Sequence, residues 1–181
     1  MADHDFSPPK ESGLTKQAVH RLAENVAGQL SFEPGGDLFV VLKKLGGRLA
    51  YKDFSGIDET DSGSLLVRQP GDFDIVIAKN TSPKRDRFTI AHEIGHYVLH
   101  YLLARQNGSP IQAMAAARYG SDRTEWEANW FAAAFLMPEQ EFREAYEELG
   151  QDVFAVAERF GVSTKAARIR AEALGLREST G

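Results

Sequence analysis

Apolar positions at Leu14, Ala18, Leu22, Val26 and Leu30 recur at the spacing of one helical face, so an amphipathic surface helix is expected over 14–30. Pro34-Gly35-Gly36 interrupts it. Asp37 then stands where a cap would start a second helix, which carries Phe39, Val40, Leu42 and Leu45 and is ended by Gly46-Gly47. From 48 to 79 the period shortens, and strands are expected at 49–54, 64–68 and 73–78, separated by Gly, Asp and Ser turns. Asn80-Thr81-Ser82-Pro83 breaks the last strand, and the next helix is expected to begin at Asp86 or Thr89. Residues 105–122 read as a loop or broken helix, with an Ala-rich helical piece at 113–117. A buried helix over 123–137 is closed by Pro138, and a charged helix follows over 139–149. Residues 153–170 then give helix, turn at Gly161-Val162, cap at Ser163 and helix, the outline of a helix-turn-helix.

This order predicts an α+β fold in four parts: a disordered polar lead at 1–13, a main domain at 14–138, a C-terminal helical, helix-turn-helix-like extension at 139–177, and a tail at 178–181. The edge of the 73–78 strand offers a place for an extended peptide to pair, unless that strand lies inside the sheet.

Composition narrows the chemistry. The chain of 181 residues contains no cysteine, which excludes disulfides and thiolate metal sites, so any zinc must be held by nitrogen and oxygen. No apolar run approaches the ~20 residues that span a bilayer, and no apolar signal region opens the chain, so a cytoplasmic location without membrane contact is expected. The net charge of −5 is not the basic footprint of a nucleic-acid-binding domain. Residues 163–177 are locally basic through Lys165, Arg168, Arg170 and Arg177. Contact with DNA phosphates is one use for them, and packing against the core is the preferred one.

The chemistry concentrates at His92-Glu93-Ile94-Gly95-His96. Chance would produce His-Glu-x-x-His only ~0.01 times in a chain of this composition. On a helix the two imidazoles share a face and can grip one metal ion, while Glu93 reaches its open side as a general base. The bland alternative is a core helix with two satisfied histidines. His100 lies on the same face but ~12 Å along the axis from His92, so it is expected to support the site rather than to ligate. The longer metzincin motif would need Gly at 99 and His at 102. Leu99 and Leu102 stand there instead.

A third ligand is expected from the 123–137 helix, where Glu125 and Glu127 face nearly opposite ways. Glu125 shares the small-residue face with Ala128, Asn129 and Ala132, which suits close approach, and Asn129 is placed to hydrogen-bond a ligand. Glu127 is the reserve. Donors for a developing oxyanion are sought by proximity at Tyr97, His100, Tyr119 and Arg123.

Two segments, Arg87-Phe88-Thr89-Ile90-Ala91-His92-Glu93-Ile94-Gly95-His96 with Leu99-His100, and the run from Glu125 to Pro138, resemble the ImmA/IrrE family of metallopeptidases; Arg159-Phe160-Gly161-Val162-Ser163 adds a weaker likeness. The resemblance implies a gluzincin-like core with a small mixed sheet, a metal helix and a glutamate helix. It implies Zn2+ held by His92, His96 and Glu125, with Glu93 as base. Members resemble regulatory proteases that cleave helix-turn-helix repressors and so induce stress, DNA-damage or mobile-element genes. Some carry a further sensor domain, which is not expected within these 181 residues. The competing expectation is a non-proteolytic regulatory module that binds a repressor or DNA around a structural zinc.

Overall fold

Phe73, Ile75 and Ile77 alternate with polar or half-exposed neighbours, and the strand they build buries all three completely. The computed structural model describes residues 5–53, 63–116 and 122–180. In chain order it contains β1 (Phe6–Ser7), α1 (Lys16–Gln29), α2 (Leu38–Leu45), β2 (Gly47–Lys52), β3 (Gly63–Gln69), β4 (Asp72–Ala78) and α3 (Pro83–His96). A π-helical stretch, Tyr97–Leu102, carries the α3 axis onward into the short α4 (Leu103–Gln106). Then follow β5 (Ala113–Ala116), α5 (Asp122–Leu136), α6 (Glu139–Glu148), α7 (Val153–Phe160) and α8 (Thr164–Ala173).

The strands form one five-stranded sheet in the order β1-β5-β3-β4-β2. β2 runs parallel to β4 and β1 parallel to β5, while β3 is antiparallel to both of its neighbours. β4 is therefore interior, paired on both edges, and offers no edge to a substrate peptide. The Ala-rich piece at 113–116 is strand β5 rather than helix. Ala113, Met114 and Ala116 are buried as the strand pairs with β3, and that pairing overrides alanine's weak strand preference.

Local signals set most boundaries. Asp37 caps α2 by accepting from the Phe39 N–H, and Gly46, at φ +83°, ends it in the left-handed conformation. α3 starts earlier than Asp86 because Ser82 accepts from the Arg85 N–H and Pro83 sits in the first turn, where its missing N–H costs nothing. Gly161, at φ +64°, closes α7, and Ser163 caps α8 as expected.

The core forms where α3 and α5 pack on one another and on the sheet. Ile90, Ala91 and Ile94 of α3 meet Leu65, Val67 and Phe73, Ile75 and Ile77 of β4 in one buried cluster. Tyr97 stacks on Phe73 with ring centroids 4.1 Å apart, and its hydroxyl accepts from the Gly71 N–H. α1 lies along α5 through Val19, Ala23 and Ala27, whose small volumes permit close packing.

The part of the N-terminal lead that is described is not disordered. Phe6 and Ser7 pair with β5, and Ser12 bonds to Glu127 of α5. The free sheet edge and a buried carboxylate supply partners that the polar segment does not advertise by itself.

Candidate metal centre

Helix α3 brings His92 and His96 one turn apart, with ring centroids separated by 4.8 Å. α5 crosses them closely because position 95 is glycine: a Cβ there would lie 3.0 Å from Phe131 Cβ and 3.2 Å from the Ala128 carbonyl oxygen. This approach carries the first turn of α5 over the histidines. Glu125 Oε2 lies 3.1 Å from His92 Nε2, and Glu125 Oε1 lies 3.0 Å from His96 Nε2.

The donor set fits a metal ion. One ligand atom from each of His92, His96 and Glu125 can be chosen so that all lie within 4.8 Å of one another. A tetrahedral zinc with bonds of ~2.0–2.1 Å holds its ligands roughly 3.3 Å apart, close to the His–Glu separations. The outer ring nitrogens are also engaged. His92 Nδ1 donates to Asn129 Oδ1 at 2.8 Å, as the helix face predicted, which leaves Nε2 free to ligate. His96 Nδ1 lies 2.9 Å from His100 Nδ1.

Burial and charge favour the protonation states ligation needs at Glu125 and His96. Burial alone would lift the Glu125 carboxyl, but the hydrogen bonds from His92 and His96 hold it well below the usual carboxylate range. Burial pushes His96 down to about 4, so it is neutral at neutral pH. His92 moves the other way. Burial lowers it too, but its bond to Glu125 and the charge of Glu93 outweigh that cost. The side chain of His96 is 2% exposed and that of His92 14%, so a proton on the pair resides on the more solvated His92.

The trio opens into a cleft of about 870 Å3. Glu93 lines it and is 5% exposed, with Gly63 against it: a Cβ on Gly63 would stand 3.3 Å from Glu93 Oε1 and 2.6 Å from Thr89 Cγ2. Ser163, Lys165, Ala166 and Ile169 form another wall, so the C-terminal segment helps to build the cleft, a role its sequence does not announce. Arg170 is unavailable to a DNA phosphate: it is 3% exposed and its Nε donates to the Met137 carbonyl at 2.9 Å.

Glu127 is not a ligand in this arrangement. It is fully buried on the far side of α5, 3.0 Å from His100 Nε2 and bonded to Ser12. His100 supports His96 instead of joining the trio. Neither it, Tyr97 nor Arg123 lines the cleft, so none is placed as an oxyanion donor. Arg123 instead donates to the Leu14 carbonyl at 2.7 Å. Tyr119 lies outside the described residues.

Residues 45–172 match the model of the IrrE N-terminal-like domain, peptidase M78. No curated protein matches the chain. A solved structure of a Mycobacterium tuberculosis transcriptional regulator resembles it with a TM-score of 0.63 at 20% identity, over 86% of this chain and 46% of that one. The chain therefore spans less than half of that regulator's length, and the likeness is one of fold. No described helix is long and apolar enough to cross a membrane. The family match takes in both the His92-Glu93-x-x-His96 helix and Glu125, and the chain belongs to the peptidase M78 (IrrE N-terminal-like) family.

Proposed function

We infer that the protein is a zinc-dependent endopeptidase, with His92, His96 and Glu125 as metal ligands and Glu93 as general base. The observation that carries this reading is the convergence of two imidazole Nε2 atoms on one carboxylate, beside a second carboxylate, at the floor of an open cleft. Zinc held there would acidify a bound water towards pKa ~7 and polarise the scissile carbonyl. The chain's own residues do the rest. Asn129 and His100 fix the imidazoles through their outer nitrogens. Glu93 takes the proton of the attacking water and returns it to the leaving amine. His96, nearly enclosed, anchors the site from behind, while His92 and Glu125 face the cleft.

Two helix histidines and a glutamate from a second helix support reading the arrangement as gluzincin-like. Family membership supports a peptidase with a regulatory role. The resemblance to ImmA/IrrE members supports a helix-turn-helix repressor as substrate, cleaved to induce stress, DNA-damage or mobile-element genes in the cytoplasm. The fold is also that of a protein named as a transcriptional regulator. The rival reading, a non-proteolytic repressor- or DNA-binding module, loses one of its basic contacts with the burial of Arg170.

Metal dependence is the test. Protein loaded with zinc, stripped by a chelator, and restored with zinc is incubated with host lysate, and new protein N-termini are mapped by mass spectrometry. The reading predicts a small set of new termini, lost on stripping and regained on restoration. Cleavage that survives complete stripping contradicts it.

A further inference from the structure

We propose that Ser12, Glu127 and His100 form a positioning chain that couples docking of the N-terminal segment to retention of the metal by His96. The inference rests on the metal assignment above but not on proteolysis.

The geometry is continuous. Ser12 gives both its N–H and its hydroxyl to the Glu127 carboxylate, at 2.8 and 2.6 Å. Glu127 Oε1 lies 3.0 Å from His100 Nε2, and His100 Nδ1 lies 2.9 Å from His96 Nδ1. Glu127 is 0% exposed, and His100 and His96 are each 1% exposed. A carboxylate buried so completely needs its partners, and Ser12 supplies two of them.

The chain also dictates a tautomer. A neutral imidazole has one donor and one acceptor nitrogen. A lone pair on His100 Nε2 would face the Glu127 carboxylate and be repelled, so that nitrogen carries the proton. With a metal ion in place of the proton that His96 Nε2 shares with Glu125, His100 Nδ1 is then the acceptor, His96 Nδ1 the donor, and His96 Nε2 would present its lone pair to the metal. Reversed polarity would put the His96 proton where the metal must bind. The Glu127 charge, held by Ser12, therefore selects the ligating form of His96 through the one intervening residue, His100.

The segment that delivers Ser12 is docked from outside the metal helices. β1 pairs with β5, and Arg123 grips the Leu14 carbonyl at 2.7 Å while lying over the Trp130 ring. If docking favours the metal-bound state, metal binding must favour docking by the same factor.

The experiment measures Zn2+ affinity by chelator competition, and hydrogen exchange of the Ser12 amide with and without Zn2+, on the full chain. Glu127→Ala should weaken Zn2+ roughly 10–100-fold, the range for residues that orient a ligand. Glu127→Gln, which keeps an acceptor for His100, should recover part of the loss. Ser12→Ala, remote from the ligands and mild for folding, should weaken Zn2+ about 3–10-fold by the same orienting effect. Zn2+ should slow exchange at Ser12 in the wild type. Tight Zn2+ binding unchanged by Ser12→Ala, together with Ser12 exchange indifferent to Zn2+, overturns the coupling and leaves the metal site standing. Failure of the wild type to bind Zn2+ overturns both.

Discussion

His20 shows how far one side chain's environment can move its chemistry. Burial and the nearby Arg170 guanidinium, 3.5 Å from His20 Nδ1, push this imidazole down to about 4 from 6.5. The unfolded chain therefore takes up a proton first as pH falls, and the folded state loses stability between pH 6.5 and 4, not above it. After discounting for its partial exposure, the loss is about 2 kcal/mol. Urea unfolding of wild type and His20→Asn across this range should show a pH slope in the wild type that the variant lacks. Equal slopes would contradict the assignment. No sequence pattern marks His20, because its partner Arg170 is 150 positions away. The two candidate ligands of α3 and the carboxylate beside them were legible for the opposite reason: the spacing of His92, Glu93 and His96 is set by helix periodicity alone. Glu125 separated from Glu127 because two residues along a helix reverse the face. What Glu127 does was hidden, since Ser12 reaches it across 115 positions of chain.

Among the elements, the α3–α5 crossing decides whether the site exists, and Gly95 decides the crossing. Alanine at 95 gains roughly 1 kcal/mol in helix propensity. Against that, its Cβ meets Phe131 Cβ and the Ala128 backbone, neither of which can swing aside, and overpacking of this kind costs ~1–3 kcal/mol. Gly95→Ala should therefore destabilise the fold by about 1 kcal/mol, and by parting the helices it should weaken metal binding through His92, His96 and Glu125. Denaturant unfolding paired with a Zn2+ titration checks both. A more stable variant with unaltered affinity would show that the contact is not limiting. Most elements were readable from caps and periods, including α2, β4, α7 and α8. Ser82-Pro83 carried a start signal for α3 that the apolar pattern alone places too late. β5 was misread because alanines prefer helices in isolation, and only the waiting edge of β3 makes them a strand.

At the scale of the whole molecule, remote segments complete what the central helices begin. The N-terminal segment closes the sheet edge and reaches the back of the candidate metal site. α8, which reads in sequence as the second half of a helix-turn-helix outline with packing against the core as the preferred use of its basic residues, supplies Lys165 and Ile169 to the cleft wall and turns Arg170 inward. The docking of the N-terminal segment and the cleft-lining role of α8 were not legible in sequence, because each depends on surfaces that exist only once the core has formed. The central claim is that this assembly makes Glu93 a general base on a held metal. The most direct measurement compares wild type with Glu93→Gln, each verified to carry one zinc, for new protein N-termini in the same lysate. Equal zinc with cleavage reduced 100-fold or more, about the contribution of a positioned base, is the expected result. Equal zinc with equal cleavage would contradict the account.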